Sequence, residues 1–286
     1  MQAKLIDVSE RDYHADNLGL EPDVPTLSAS LAHILNEKSP RDAYIAHPKL
    51  GGLSKPPTDA MERGTIMHSL VLGTGGDIAV VEANDWRTKA AKAERDDARD
   101  GGQIPVLAGK YADYLRTATR IKEQLPEFGI DLSRGDAEQT IVWDEMGVPC
   151  RCRIDWLNRT DGVIYDFKTT ADANPNAISR SMTDYAYVIQ NEAYQRAVGA
   201  LDPDLAGRTE MLFIFAELEE PFTVTVAKCG GTLREMGRRR WERALRIWTE
   251  CSGLDRWGRY SDDVVYLEAT DWAYAREVER DMEEMD

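Results

Sequence analysis

The sequence has few cysteines and no long apolar run. Its four cysteines, Cys150, Cys152, Cys229 and Cys251, form no C-x-x-C pair among 286 residues, so reduced thiols are the expected state. No apolar run approaches the roughly 20 residues that a membrane helix needs, and the first residues do not have the pattern of a signal peptide. These absences predict a cytoplasmic protein with no membrane partner.

Basic charge is also scarce. Lysine and arginine number 35 against 51 acidic residues, which gives a net charge of -16. This balance argues against a protein that coats DNA, because affinity for phosphates comes from Lys and Arg. It leaves room for an enzyme with a local basic channel and an acidic exterior. The hydrophobic content of 42% is ordinary for a globular chain of this length.

Two predicted strands within residues 150–170 carry charged residues where apolar alternation is expected. Asp155 falls in the first strand, and Asp166 and Lys168 fall in the second, where residues two apart share a face. Asp161-Gly162 between the strands is a strong turn signal. A hairpin closed at this turn would bring Asp155 and Asp166 together beside the amine.

Two carboxylates and an amine at one place suggest a divalent-metal site. Magnesium prefers oxygen ligands and is often held by one or two carboxylates together with substrate phosphate and water. A lysine beside such an ion can orient the attacking water or neutralise charge on phosphorus. The simpler interpretation is a solvated Asp/Lys pair on a sheet face, because D-x-K alone is common.

Flanking segments add three polar residues to this pattern. Gln190 and Tyr194 lie four apart in a segment of helical periodicity, so one helix face carries both. His68 lies in an apolar segment of helical character, where an isolated histidine is more often a packing residue than a ligand. A functional role for His68 is therefore indicated only if it lies beside the other residues of the pattern.

The ordered series G-x-x-x-H, R-x-D, D-x-K and Q-x-x-x-Y resembles the RecB-like branch of the PD-(D/E)xK nuclease superfamily, and most closely the RecE-type (exonuclease VIII) enzymes of phages and prophages. The resemblance covers about residues 26–201. It implies Mg²⁺, with Mn²⁺ as a possible substitute, and a catalytic lysine at Lys168. It also implies a set of metal ligands and a set of residues beside the DNA path. These are His68, Asp155, Asp166 and the Phe167 carbonyl for the metal, Glu138 as a further acidic group, and Gln190 and Tyr194 for the DNA.

The same resemblance bears on iron–sulfur chemistry. Relatives that carry a cluster use one cysteine before the core and three after it. Here Cys150 and Cys152 lie inside the hairpin, and no cysteine lies near the N-terminus. We therefore expect no iron–sulfur cluster.

Element patterns predict a mixed α/β fold with the αβββαβ order of a restriction-endonuclease-like core and extra helices at both ends. We expect one domain, with a helical lead-in over 1–60, a core over 61–227 that has a helical insertion at 85–125, and a helix with an acidic tail over 228–286. The predicted core elements are strands at 138–143, 148–157, 163–168, 211–217 and 222–226, and helices at 61–72, 105–125 and 184–200.

The last long helix, predicted over 233–251, is the most basic stretch of the chain. Its apolar stripe of Trp241, Leu245 and Trp248 is more typical of core packing than of base stacking. Arg239 and Arg243 on this helix, with Arg153 on the hairpin, are candidate DNA-binding residues. Arginine suits both phosphates and protein interfaces, so subunit contact is an equal alternative for the helix.

The resemblance implies an exonuclease that degrades one strand of linear duplex DNA from an end. The single-stranded tail would serve recombination or repair with an annealing protein, and related enzymes assemble as rings, so a homo-oligomer is expected. Three alternatives stay open: a structure-specific endonuclease with the same site, an inactive DNA-binding scaffold, and a soluble domain whose acidic pairs are only surface charges.

Overall fold

A computed structural model describes residues 2–53, 58–73 and 78–283, and a six-stranded sheet forms its centre. The strand order is β1-β4-β5-β6-β7-β8; β6 and β7 are parallel and the other neighbours are antiparallel. Strands β2 and β3 form a separate parallel pair. The strands are β1 (Lys4–Ile6), β2 (Ile78–Val81), β3 (Ile104–Leu107), β4 (Asp136–Glu145), β5 (Val148–Asn158), β6 (Val163–Thr170), β7 (Glu210–Glu217) and β8 (Val224–Ala227).

Helices cover both faces of the central sheet. They are α1 (Glu10–His14), α2 (Ala29–Glu37), α3 (Pro40–Ala46), α4 (Asp59–Leu72), α5 (Lys89–Asp100), α6 (Ala108–Gln124), α7 (Pro175–Asp184), α8 (Tyr187–Leu201), α9 (Gly231–Leu254) and α10 (Asp271–Glu283). Short 3-10 turns follow α6 at Leu125–Phe128 and α8 at Pro203–Leu205.

Two hydrophobic layers hold the sheet, one on each face. The first layer packs α2, α8 and α9 against the sheet, and the second packs α4 and α6. Strand β6 serves both, because Ile164 faces the first layer while Tyr165 and Phe167 face the second. The mixed α/β core with helices on both faces agrees with the fold predicted from the sequence.

Local sequence signals account for several helix boundaries. Ser28 accepts the backbone N–H of Leu31 and begins α2, and Ser39 forms a capping box with Asp42 at the start of α3. The predicted stripe of α9 is core: Trp241, Leu245 and Trp248 are 0%, 1% and 3% exposed.

Three element predictions were wrong. The helix expected over 105–125 begins only at Ala108, because residues 104–107 form β3 beside β2. The N-terminal lead-in contributes an edge strand, β1, which pairs with β4. The polar helix α7 was missed, and the left-handed backbone of Ala186 separates it from α8.

The C-terminal segment departs from the rest of the molecule. The predicted acidic tail contains α10, and none of the helix's residues is buried. None of the helices in the described ranges is long and apolar enough to cross a membrane. The division into lead-in, core and tail stays a prediction.

Candidate active site

The candidate active site lies where β5 and β6 separate. The two strands pair from Asn158↔Val163 to Trp156↔Tyr165. One residue further, the backbone N–H of Phe167 donates to Asp155 Oδ2 at 2.9 Å, so a side chain takes the place of a strand partner. We call this point the strand fork. The pairing that precedes it brings Asp155 opposite Asp166, as the hairpin prediction required.

An irregularity in β4 and β5 directs two carboxylates into the strand fork. Ile154 and Leu157 both face the first core layer, although Trp156 between them faces the second, so the alternation of β5 shifts by one residue at Asp155. Glu138 lies opposite Asp155 in the β4–β5 register and has a left-handed backbone with φ 54°. Non-glycine residues in this conformation are often functional, because the surrounding structure must impose it.

Helices from both faces of the sheet reach the strand fork. From α4, His68 places Nε2 at 2.9 Å from Asp155 Oδ2 and Nδ1 at 3.3 Å from Glu138 Oε1. From α8 on the other face, Gln190 Nε2 donates to Asp166 Oδ1. The site therefore joins two layers that are otherwise separated by the sheet.

Lys168 is held between a carboxylate and an aromatic ring. Its Nζ lies 2.5 Å from Asp166 Oδ2 and 5.2 Å from the ring centroid of Tyr187. Asp166 is fully buried, and among the described residues its Oδ2 accepts no hydrogen bond of ordinary geometry and has Lys168 as its ion-pair partner.

The crowding of charges changes the pKa of each group. Burial opposes protonation of His68, but the carboxylates of Asp155 and Glu138 outweigh it and raise the pKa of the imidazole to about 9. Burial, reinforced by the negative charge of Asp155, raises the pKa of Asp166 to about 6 despite Lys168. Burial also acts on Asp155, yet the His68 charge and hydrogen bond keep its pKa below the ordinary value. Perturbed acids and bases of this kind concentrate at functional sites.

The donor set suits a hard divalent cation, although the side chains are engaged with one another. The described residues contain no group of three or more His, Cys, Asp or Glu side chains already arranged as a metal site. Both ring nitrogens of His68 face carboxylates. Carboxylate oxygens on the partly buried Asp155 and the fully buried Asp166, with one Asp166 oxygen lacking a hydrogen bond, are the chemistry that magnesium prefers. Asp155 and Asp166 are thus the residues that fit such an ion best.

The structure brings together most of the predicted site residues. His68, Glu138, Asp155, Asp166 and Lys168 meet at the strand fork, and we call these five residues the active-site cluster.

Of the remaining predicted residues, Gln190 and Arg153 each bond a member of this cluster, and Tyr194, Arg239 and Arg243 make their contacts elsewhere. Tyr194 is 8% exposed and packs in the first core layer, and Arg153 bonds Glu138 through Nε at 2.6 Å. Arg239 and Arg243 lie on α9, where they bond Glu235 and Asn36 respectively. Metal ligation by His68 and the Phe167 carbonyl, and the DNA contacts of these residues and Gln190, stay predictions.

Sequence reasoning missed two contributors to the site. Tyr187 precedes Gln190 by three residues on α8, so their shared helix face was the available signal. The N-terminal segment also reaches the site, because the Val8 carbonyl accepts a hydrogen bond from Arg153 Nη1 at 3.1 Å. No motif marked that segment, since its contribution is a backbone oxygen.

A mixed sheet with flanking helices and a D-(x)n-D-x-K cluster at a strand fork is the arrangement of a PD-(D/E)xK-type domain. The model of the PDDEXK-like domain of unknown function (DUF3799) matches residues 38–270, and the chain belongs to this family. No protein of curated function matches the sequence.

Among solved structures, the chain is similar to one from Eubacterium rectale named "putative exonuclease". The identity is 13% and the TM-score 0.61, over 93% of this chain and 97% of the other. At that identity the likeness concerns the fold alone. The superfamily recognised from the motifs is confirmed by the family match, whereas the closer relation to RecE-type enzymes stays a prediction.

Proposed function

We propose that this protein is a metal-dependent DNA exonuclease that hydrolyses one strand of linear duplex DNA from an end. The observation that carries the proposal is the strand fork. There Asp155 and Asp166 lie beside Lys168 in the D-(x)n-D-x-K order of a nuclease superfamily to which the chain belongs. Hydrolysis of a phosphodiester by this class needs a divalent ion and a cation beside the attacked phosphorus.

Asp155 and Asp166 would hold the divalent ion, with Mg²⁺ proposed and Mn²⁺ as a substitute. The bound ion would supply an activated water and offset charge on the phosphoryl oxygens. The other residues position the carboxylates: Phe167 N–H fixes Asp155, and Gln190 fixes Asp166. Both hydrogen bonds restrict carboxylate rotation, which lowers the reorganisation that the reaction requires.

Lys168 would bring positive charge to the reacting phosphate. Its side chain is 21% exposed, while that of its partner Asp166 is fully buried. An ammonium placed this way can donate hydrogen bonds to water and to a phosphoryl oxygen. The Tyr187 ring, with its centroid 5.2 Å from Nζ, attracts the same ammonium group through its π face.

The partners follow from the proposed reaction. Duplex ends are the substrate, and the single-stranded tail that remains suits a single-strand annealing protein in phage-type recombination or repair. A ring-shaped homo-oligomer is proposed as the assembly that would keep the enzyme on its DNA. Support for these partners comes from the resemblance of the motif series to RecE-type enzymes.

The test compares linear and covalently closed duplex DNA with Mg²⁺ and with EDTA. Three proteins are used: wild type, Lys168→Ala, and the control Lys228→Ala, whose lysine is exposed and paired with Glu210. We expect Mg²⁺-dependent loss of linear DNA only, retained by the control and reduced by about 10²-fold or more in Lys168→Ala. Cleavage of closed circles would identify an endonuclease instead. Equal activity of Lys168→Ala and wild type would remove the strand fork as the site.

A further inference from the structure

A second cluster of charged side chains lines a cavity away from the strand fork. The cavity measures about 440 Å³ and lies between α3 and the segment that follows α9. We call it the arginine pocket. Its lining residues are Arg41, Arg256, Trp257, Gly258, Arg259 and Asp262. None of them belongs to the active-site cluster.

The arginine pocket carries more positive than negative charge. Arg256 Nη2 lies 2.9 Å from Asp262 Oδ2, and Arg259 Nε lies 3.4 Å from Asp262 Oδ1, so a single carboxylate is shared by two guanidinium groups. The guanidinium of Arg41 makes no ion pair or hydrogen bond within the described ranges 2–53, 58–73 and 78–283. Three cations and one anion in a chain of net charge -16 therefore form a local positive site.

The wall of the pocket is fixed to the protein core. Trp257 packs edge-on against Trp248 at 5.2 Å between centroids and against Tyr44 at 5.8 Å, and Trp248 is only 3% exposed. The Arg41 backbone N–H donates to the Gly258 carbonyl at 2.9 Å, which joins α3 to this wall. The backbone around the three arginines is thus held against the core, while the arginine side chains are exposed to solvent.

The chemistry of the pocket selects a phosphate group. Guanidinium binds phosphate oxygens through paired charge-assisted hydrogen bonds, and an unpartnered arginine can do so without first breaking an ion pair. An enzyme with a strongly acidic exterior needs such local positive sites to hold a polyanion. We propose that the arginine pocket binds a backbone phosphate of DNA away from the scissile bond. This inference rests on the proposed nuclease function.

The proposal has a quantitative signature in the salt dependence of DNA binding. Each phosphate contact that is lost lowers the slope of log K against log salt by about 0.9 for duplex DNA. Arg41→Gln removes the guanidinium that has no internal partner, so the loss should fall on binding rather than on folding. We expect a roughly five- to tenfold lower affinity, nearly independent of DNA sequence, with the slope reduced by about 1.

The experiment measures anisotropy of a labelled linear duplex in EDTA at several salt concentrations. Arg259→Gln is a second test variant, and Arg116→Gln is the matched control, since Arg116 is exposed on α6 and pairs with Asp113. Lower affinity and a shallower slope in both pocket variants, with the control unchanged, support the proposal. Pocket variants that bind like the control overturn it.

A second arm separates DNA from free phosphate as the source of the ligand. Inorganic phosphate is titrated into wild type and Arg41→Gln by calorimetry. Phosphate binding that depends on Arg41, while DNA affinity does not, would assign the pocket to a small anion and overturn the DNA assignment. EDTA prevents cleavage during the binding measurements, so DNA binding and DNA cleavage are tested separately. If the pocket variants bind DNA less tightly but the wild type does not cleave DNA with Mg²⁺, the nuclease proposal is contradicted. The arginine pocket then remains a DNA-binding site.

Discussion

Two carboxylates, Asp16 and Asp166, are both 0% exposed, yet their surroundings differ in kind. Asp16 Oδ1 accepts hydrogen bonds from Thr26 Oγ1 at 2.5 Å and from Arg151 Nη1 at 2.7 Å. Its Oδ2 accepts the Thr26 backbone N–H at 3.0 Å and lies 3.4 Å from His47 Nε2. Every oxygen of Asp16 has a partner, and a buried cation balances its charge.

Asp166 accepts fewer hydrogen bonds than Asp16, and a second carboxylate lies close to it. Gln190 donates to one oxygen, the ammonium of Lys168 stands at the other, and the carboxylate of Asp155 lies across the strand fork. Saturated buried ion pairs hold structure together, whereas a buried carboxylate near other carboxylates has unused capacity for a ligand. The difference separates a structural carboxylate from a functional one at the same burial.

The largest expected effect is on stability, through Asp16→Ala. The change leaves the guanidinium of Arg151, 5% exposed, buried without its counter-charge. We expect the free energy of unfolding to fall by about 3–5 kcal/mol. Urea denaturation measures the loss. The control Asp113→Ala removes an exposed carboxylate of α6 and should stay within about 0.5 kcal/mol of wild type. A similar small change at Asp16 would contradict the comparison.

Asp166→Asn should show the reverse pattern. Cleavage of linear DNA is expected to fall by about 10²–10³-fold, because an amide cannot supply the charge that holds a divalent ion. Stability should change by less than about 1 kcal/mol, since Lys168 keeps the charge of Asp155 and the Tyr187 ring beside it. Rate assays and urea denaturation on the same preparation measure both effects. Full activity would show that Asp166 is another structural carboxylate.

Addition of Mg²⁺ should further distinguish the strand fork around Asp166 from the surroundings of Asp16. An ion that binds only the folded state adds about 1.4 kcal/mol at a free concentration of roughly ten times its Kd. We expect Mg²⁺ to raise the melting temperature of wild type and of Asp113→Asn, and to leave Asp155→Asn and Asp166→Asn unchanged. Thermal scans with Mg²⁺ and with EDTA provide the measurement. A shift that survives both site substitutions would place the ion elsewhere.

The smallest expected effect is on the pH dependence of stability. Burial raises the pKa of Asp16, but the hydrogen bond with His47 and the charge of Arg151 outweigh it and hold the pKa below its ordinary value. A lowered folded-state pKa stabilises the fold above the unfolded pKa of about 3.9, and this contribution is lost as pH falls through the folded-state pKa. Lys49, at 3.7 Å from Asp16, and the Thr26 donors act in the same direction.

Urea denaturation of wild type and Asp16→Asn between about pH 7 and pH 3 checks this effect. The difference in unfolding free energy should stay constant down to about pH 5 and narrow below about pH 4. A gap that widens on acidification would reverse the sign assigned to Asp16.

Short-range sequence pattern predicted the positions of the candidate catalytic residues better than the residues that support them. The meeting of Asp155, Asp166 and Lys168 could be predicted because a turn signal and strand alternation fix which residues meet across a hairpin. The shift of alternation at Glu138 and Asp155 could not be predicted from the sequence, since it depends on how two strands bend against both core layers. Asp16 was missed for a similar reason: its partner Arg151 is 135 residues away, and nothing local marks the pair.

The N-terminal segment supports the catalytic hairpin from outside the region of family similarity, which begins at residue 38. Arg151 and Arg153 on β5 are held by Asp16 and by the Val8 carbonyl, so the strand that carries Asp155 depends on residues upstream of that limit. A boundary drawn at residue 38 would therefore separate these contacts from the strand that they hold. A fragment that starts at residue 38 would retain the nuclease motif and lose the groups that neutralise the strand behind it.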